Sequence, residues 1–193
     1  MTYRQELGRK AIHLGSSIIP IAYFFVSKPL ILSLLIPATL LTITIDYGRR
    51  YVKWMDTLFN FLFGYVLRDD EEAEYSLTGG SYVMLAEVIA ILLFPKFIAI
   101  AGLLTLSIGD SAAALIGRPF GKHKLYGEKT WEGTLAFLIS SVIVVSLIPG
   151  IPIWAAILSS VAGACVELFF NVVDDNIFIP VASGIVLVLL AVG

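Results

Sequence analysis

An acid stands where the chain is otherwise most apolar. Asp110 follows FIAIAGLLTLSIG and precedes SAAALIG, and the next stretch, GRPFGKHKLYGEKT, supplies Arg118, Lys122, Lys124 and Lys129. A carboxylate inside a membrane-spanning segment costs about 3 kcal/mol, so it is a functional candidate by default, met by water, a cation or a metal. The basic stretch has the physics of a phosphate site. Glycines such as Gly121 let backbone N–H groups approach phosphate oxygens, while Arg118, Lys122 and Lys129 neutralise charge. Thr130, at the start of the next apolar segment, adds the free N–H groups of a helix terminus. The stretch is not a nucleotide-binding P-loop: three residues, not four, separate Gly117 from Gly121, His123 follows Lys122, and no strand precedes it. Lys124 taken alone reads as an ordinary solvated loop lysine.

Three further clusters carry chemistry. ELGRKAIHLG places Glu6, Arg9, Lys10 and His13 at spacings of three and four, on one helical face. A basic membrane-anchoring end explains Arg9 and Lys10 equally well, but His13 sits deeper than a snorkelling cation needs to. EEAEYSLTGGSYVMLAE sets Glu74 four residues before Thr78, opens an apolar segment with Gly79 and Gly80, and carries Glu87 towards mid-membrane. ELFFNVVDDN ends one apolar segment at Glu167 and enters the next through Asp174, Asp175 and Asn176. Carboxylates with an amide oxygen suit Mg²⁺, which takes one or two of them and completes its octahedron with phosphates and waters. Helix capping explains one such residue better than three in succession. A site for a polyanion and its metal is the joint reading.

The elements that position these residues belong to a membrane. Of 193 residues, 58% are apolar and 15% charged, and the mean hydropathy is +0.90; soluble domains are less apolar and far more charged. Seven apolar segments lie near residues 11–27, 29–45, 80–94, 97–117, 133–149, 152–170 and 177–192. The segment 51–67, flanked by Arg50 and Arg68 and rich in aromatics, suits an amphipathic helix in the interface. The expectation is an all-α polytopic protein with about seven transmembrane helices and one interfacial helix, forming a single domain over residues 1–193. No small-x-small cleavage site follows the first segment, so an uncleaved first helix is expected. The net charge of −2 and the local clustering of cations give no sign of a nucleic-acid partner. Cys165 is the only cysteine and allows no intramolecular disulfide.

Charge sets the orientation. Arg4, Arg9 and Lys10, then Arg49, Arg50, Lys53 and Arg68, then Arg118, Lys122, Lys124 and Lys129 fall on one side, leaving Lys28 and Lys96 opposite, so eleven of thirteen cations share a face. The positive-inside rule makes that face cytoplasmic, with the amino terminus inside and the carboxyl terminus outside. Asp46, the acidic clusters and three helix starts, near Thr78, Thr130 and Asp174, reach the same face. Asp110 lies about seven residues before its segment's end, ~10 Å below the boundary at 1.5 Å per residue.

GDSAAALIGRPFGKHKLYGEKTWEGTLAF, ELGRKAIHL, ELFFNVVDDNIFIP and E-x-x-LTGGSY resemble motifs of the CTP-dependent polyprenol kinase family, which includes dolichol kinase, phytol kinase and the yeast-type diacylglycerol kinase. Membrane cytidylyltransferases share part of the first motif. The resemblance implies phosphoryl transfer from CTP to the hydroxyl of a membrane lipid alcohol, with a divalent metal such as Mg²⁺, giving lipid phosphate and CDP. It implies that Asp110 and Asp174 or Asp175, with Asn176 and Glu167 nearby, hold metal. Lys129, Arg118 and Lys122 would bind phosphate, Arg9, Lys10 and His13 would stabilise the transferred charge, and Glu74 or Glu167 would orient the acceptor. A diacylglycerol kinase, a cytidylyltransferase releasing pyrophosphate and, last, a secondary transporter stay open. The lipid and the oligomeric state, a homo-oligomer included, are not legible.

Overall fold

The computed structural model describes residues 3–66, 77–170 and 175–190, and the chain there is helical almost throughout. The helices are α1 (Tyr3–Gly15), α2 (Ile18–Phe25), α3 (Lys28–Gly48), α4 (Lys53–Phe63), α5 (Gly79–Leu93), α6 (Lys96–Leu104), α7 (Ser111–Phe120), α8 (Trp131–Ser146), α9 (Ile153–Phe169) and α10 (Asp175–Leu189). A π-helical turn, Thr105–Asp110, fuses α6 and α7 into one rod, Lys96–Phe120. Between α7 and α8 an antiparallel hairpin pairs β1 (Lys124–Tyr126) with β2 (Lys129–Thr130).

Each apolar segment and the interfacial segment contains a helix, but the first is broken in two. Ser16 Oγ donates to the His13 carbonyl at 2.7 Å and Ser17 Oγ to the Leu14 carbonyl at 2.6 Å. Pro20 has no N–H to donate, and its ring would clash with the Ser16 carbonyl four residues back. The chain therefore turns at Ser16–Ser17 and restarts as α2. Elsewhere local chemistry sets the helix starts. Thr78 and Thr130 cap α5 and α8 by accepting from the N–H groups of Ser81 (3.4 Å) and Gly133 (3.2 Å). Extended Pro95 and Pro152 precede α6 and α9.

Among the described residues, two helices, α3 and the Lys96–Phe120 rod, are long and apolar enough to cross a membrane by length and composition. Helices α5, α8, α9 and α10 are apolar but have 15, 16, 17 and 15 residues, about 22–26 Å at 1.5 Å per residue. That is less than the ~30 Å of a bilayer's hydrocarbon core. Their outer faces are nevertheless those of a membrane protein: Leu93, Ile139, Ile157 and Leu189 are among many large apolar side chains left exposed.

The rod is mostly buried, and α1, α2, α5, α8, α9 and α10 pack against it. At one end of the bundle Tyr23, Phe94, Ile98, Leu103, Ile148 and Leu187 close a continuous apolar core. A smaller core, with Leu106, Phe137 and Ile179, sits under the opposite end. Beyond it the helices do not fill the space between them, and the polar clusters of the sequence surround a cavity.

Candidate active site

The π turn presents Asp110, and α1 meets it. Lys10 Nζ donates to Asp110 Oδ2, and His13 Nε2 lies 3.3 Å from the same oxygen and 3.4 Å from the Leu106 carbonyl. All three side chains are buried. The spacing of three that puts Lys10 and His13 on one face of α1 is what brings both to one carboxylate. A turn earlier, Glu6 receives Arg9 at 2.8 Å through one oxygen and faces Arg118 of α7 at 3.4 Å through the other. Burial pushes the Glu6 carboxyl upward, but Arg9, Lys10 and Arg118 together hold it below the ordinary glutamate value. Thus α1 is fastened to the rod by two ionic clusters. Breaking such a buried pair from one side costs about 3–5 kcal/mol.

The hairpin brings the second cation. Lys129 Nζ donates to Glu167 Oε1 at the end of α9, while Glu167 Oε2 is buried without a hydrogen-bond partner among the described residues. Burial works against the Lys129 charge. Glu167, and beyond it Asp175 and Asp110, outweigh that and raise its pKa above the usual lysine value. Gly127 takes φ +53° at the hairpin turn, a backbone that side chains rarely adopt. His123 Nδ1 lies 2.7 Å from Glu132 Oε1 and ties the hairpin to α8, and the imidazole holds the Glu132 carboxyl down to about 2. Helix α8 crosses α7 at glycine: a Cβ on Gly133 would lie 3.0 Å from the Ala113 carbonyl oxygen, and one on Gly117 would lie 3.1 Å from Gly133 Cα. That close approach carries Thr130 and Lys129 to the Asp110 side of the cavity.

The third wall comes from α3 and α5. Asp46 Oδ2, buried near the end of α3, accepts from Thr78 N at 2.8 Å and Thr78 Oγ1 at 2.9 Å. It fixes the residue that starts α5, behind Gly79 and Gly80. Arg49 stacks over Phe59 of α4, 4.7 Å from the ring centre. Helix α4 contributes Trp54, Leu58, Phe59 and Phe63 to the same cavity, whose volume is about 1230 Å³. One side of this space is ionic and the α4 side is apolar.

No family model matches the chain, and no solved structure matches it. Several named relatives do. A phytol kinase from Synechocystis sp. is 32% identical over 102 residues, 48% of this chain and 43% of that protein. A dolichol kinase from Schizosaccharomyces pombe is 34% identical over 88 residues, 42% of this chain and 17% of that one. The CTP-dependent diacylglycerol kinase 1 of the same yeast is 28% identical over 152 residues, 69% of this chain and 68% of that one. At modest identity, these homologues support kinship with the CTP-dependent polyprenol kinase family. Its matches span less than half the length of the first two relatives.

In this polyprenol kinase homologue, Arg9, Lys10, His13, Thr78, Gly79, Gly80, Asp110, Arg118, Gly121, Lys129, Thr130, Glu167, Asp175 and Asn176 all line the one cavity. Lys122 does not: it is exposed just past the α7 C-cap Gly121. Glu74 and Asp174 lie outside the described residues. Among the described residues no three His, Cys, Asp or Glu side chains converge closely enough to hold a metal by themselves. The hairpin itself was expected as loop. Asp46 and Glu6 emerge as positioning residues, and Glu6 was detectable from its spacing to Arg9. Asp46 gave only its place at the end of an apolar segment, and the π turn behind Asp110 gave no signal.

Proposed function

We propose that the chain is a CTP-dependent lipid kinase that phosphorylates the hydroxyl of a membrane isoprenoid alcohol of the dolichol, geranylgeraniol or phytol type, giving lipid phosphate and CDP. The observation that supports this most is the cavity's two-sided character. Asp110 with Lys10 and His13, Lys129 with Glu167, and Arg118 stand on one side, and the aromatic face of α4 stands on the other. Kinship with phytol, dolichol and diacylglycerol kinases supports a lipid acceptor and a nucleotide donor.

Phosphoryl transfer asks a protein for positioning and charge more than for covalent chemistry. The acceptor oxygen forms a bond to the γ-phosphorus, the bond from that phosphorus to the β–γ bridging oxygen breaks, and CDP leaves with the electron pair. Lys129 and Arg118 are placed to hold phosphate oxygens. The N–H groups at the starts of α5, α8 and α10, by Thr78 and Gly79, Thr130, and Asp175, all border the cavity and favour anions. Lys10 and His13 sit where charge on the transferred group can be stabilised once Asp110 is engaged elsewhere.

The carboxylate set fits one divalent cation shared with a nucleotide. Asp110, Glu167 and Asp175 line the cavity with Asn176, and the second oxygen of Glu167 is buried and has no hydrogen-bond partner among the described residues. A bound Mg²⁺ would supply neutralisation of β- and γ-phosphate charge there, with phosphates and waters filling most of its shell. The protein is proposed to lie in the cytoplasmic membrane with its amino terminus and this cavity on the cytoplasmic side.

The test is direct. Purified protein in nanodiscs, given CTP, Mg²⁺ and single lipid alcohols, should convert an isoprenoid alcohol to its monophosphate by mass spectrometry, faster than it converts diacylglycerol. A preference for diacylglycerol would reassign the acceptor. A CDP-lipid with pyrophosphate, or no product with any alcohol, would overturn the kinase reading.

A further inference from the structure

Glu87 takes no part in the ionic site described above. It lies two turns into α5, is 2% exposed and lines the cavity. Among the described residues it makes no ion pair, and its Oε2 has no hydrogen-bond partner. Other carboxylates on the cavity wall are engaged: Asp110 by Lys10 and His13, Glu167 by Lys129, Asp46 by Thr78 and Glu128 by Lys124. Val83 and Met84 precede Glu87 by four and three positions and share its face. Helix α3 passes close by, with Thr39 Oγ1 donating to the Met84 carbonyl at 3.5 Å, and contributes Thr42 and Ile45 to the wall. Glu87 is therefore a carboxyl with lone pairs to spare beside the apolar part of the cavity. An unpaired polar atom in such a place destabilises the fold, and an apolar residue of similar size would not.

We propose that Glu87 is the catalytic group that receives the acceptor hydroxyl, an assignment that rests on the lipid-kinase reading. The alcohol's chain lies along the apolar wall under α4, and its O–H donates to Glu87. As the new oxygen–phosphorus bond forms and the bond to the bridging oxygen of the nucleotide breaks, the hydroxyl proton passes to Glu87. The nucleoside diphosphate leaves, and water later takes the proton. Glu167, whose near oxygen is held by Lys129, keeps its place on the phosphate side.

The test compares wild type with Glu87→Gln and Glu87→Leu, as full chains in nanodiscs, in lipid phosphate formation, CTP binding and melting temperature. Both variants should lose about 100-fold in kcat, the lower range for a lost general base. Both should bind CTP within twofold of wild type, and Glu87→Leu should melt at the same or a higher temperature, a result that a purely structural glutamate would not give. Turnover within threefold of wild type in Glu87→Gln, or CTP binding lost in parallel with turnover, overturns the assignment and leaves the kinase reading standing. A wild type that forms no lipid phosphate overturns both.

Discussion

One oxygen of Asp110 is held by two side chains of α1, Lys10 and His13, and all three residues are buried. Replacing it with Asn leaves Lys10 buried and facing an amide, at a cost of about 3 kcal/mol. Asp110→Asn should therefore lower the melting temperature and remove most phosphorylation. Lys10→Met with Asp110→Leu should recover most of the stability, because an apolar pair fills the same space without desolvated charge, and none of the activity. Near-normal turnover in Asp110→Asn would contradict its role. Lys129 adds a pH signature. Its pKa is raised above 10.5 in the folded chain, chiefly by Glu167 against the effect of burial. The stability that its charge confers is thus fully present below 10.5 and fades only as pH rises beyond it. The stability gap between wild type and Lys129→Gln should stay constant from pH 6 to 10 in thermal unfolding, and a gap that closes near neutral pH would contradict the Glu167 pairing. At this scale the sequence was informative for a physical reason. A charge in an apolar run is costly, so Asp110 and His13 stand out, whereas exposed Lys122 had a basic neighbourhood and nothing in its spacing to say which way it faces.

At the scale of elements, the crossing of α7 over α8 decides where Lys129 sits. A Cβ on Gly133 would press on the Ala113 carbonyl, and backbone cannot step aside as a flexible side chain can. Gly133→Val should cost about 1–3 kcal/mol by overpacking and should raise the KM for CTP more than the KM for lipid, because it displaces Thr130 and Lys129. An unchanged KM for CTP would show that the crossing does not position the phosphate side. Helix positions follow from apolar run length and from Pro, Thr and Gly punctuation, which is why α3 and α5 to α10 begin and end near their expected residues. The break at Ser16–Ser17 was also written, in two serines and Pro20, but within one unbroken apolar run. The π turn and the two-residue β2 depend on packing against α1 and α8, and local propensity does not encode that. The amphipathic α4 buries none of its residues, as a helix lying in an interface would.

For the whole molecule, the bundle is closed by an apolar core at one end and gathers its chemistry at the other. Charge asymmetry in the connections put these residues on one expected face. The meeting partners across α1, α5, the hairpin and α9 are contacts of long sequence separation, invisible to any local pattern. Orientation remains a proposal with its own check. In a Cys165→Ser background, single cysteines at exposed Tyr51 and Lys122 should react with a membrane-impermeant maleimide only from the cytoplasmic side, and one at exposed Ile153 only from the opposite side. Labelling of Tyr51 and Lys122 from opposite sides would contradict the topology.

The central claim is that the cavity transfers the terminal phosphate of CTP to a lipid hydroxyl. Its most direct measurement follows two labels with purified protein, Mg²⁺ and a polyprenol. Label in the γ-phosphate should move into the lipid, and label in the α-phosphate should stay in water-soluble CDP. Transfer of the α-label into lipid with release of labelled pyrophosphate, or no transfer of either label, would contradict the account.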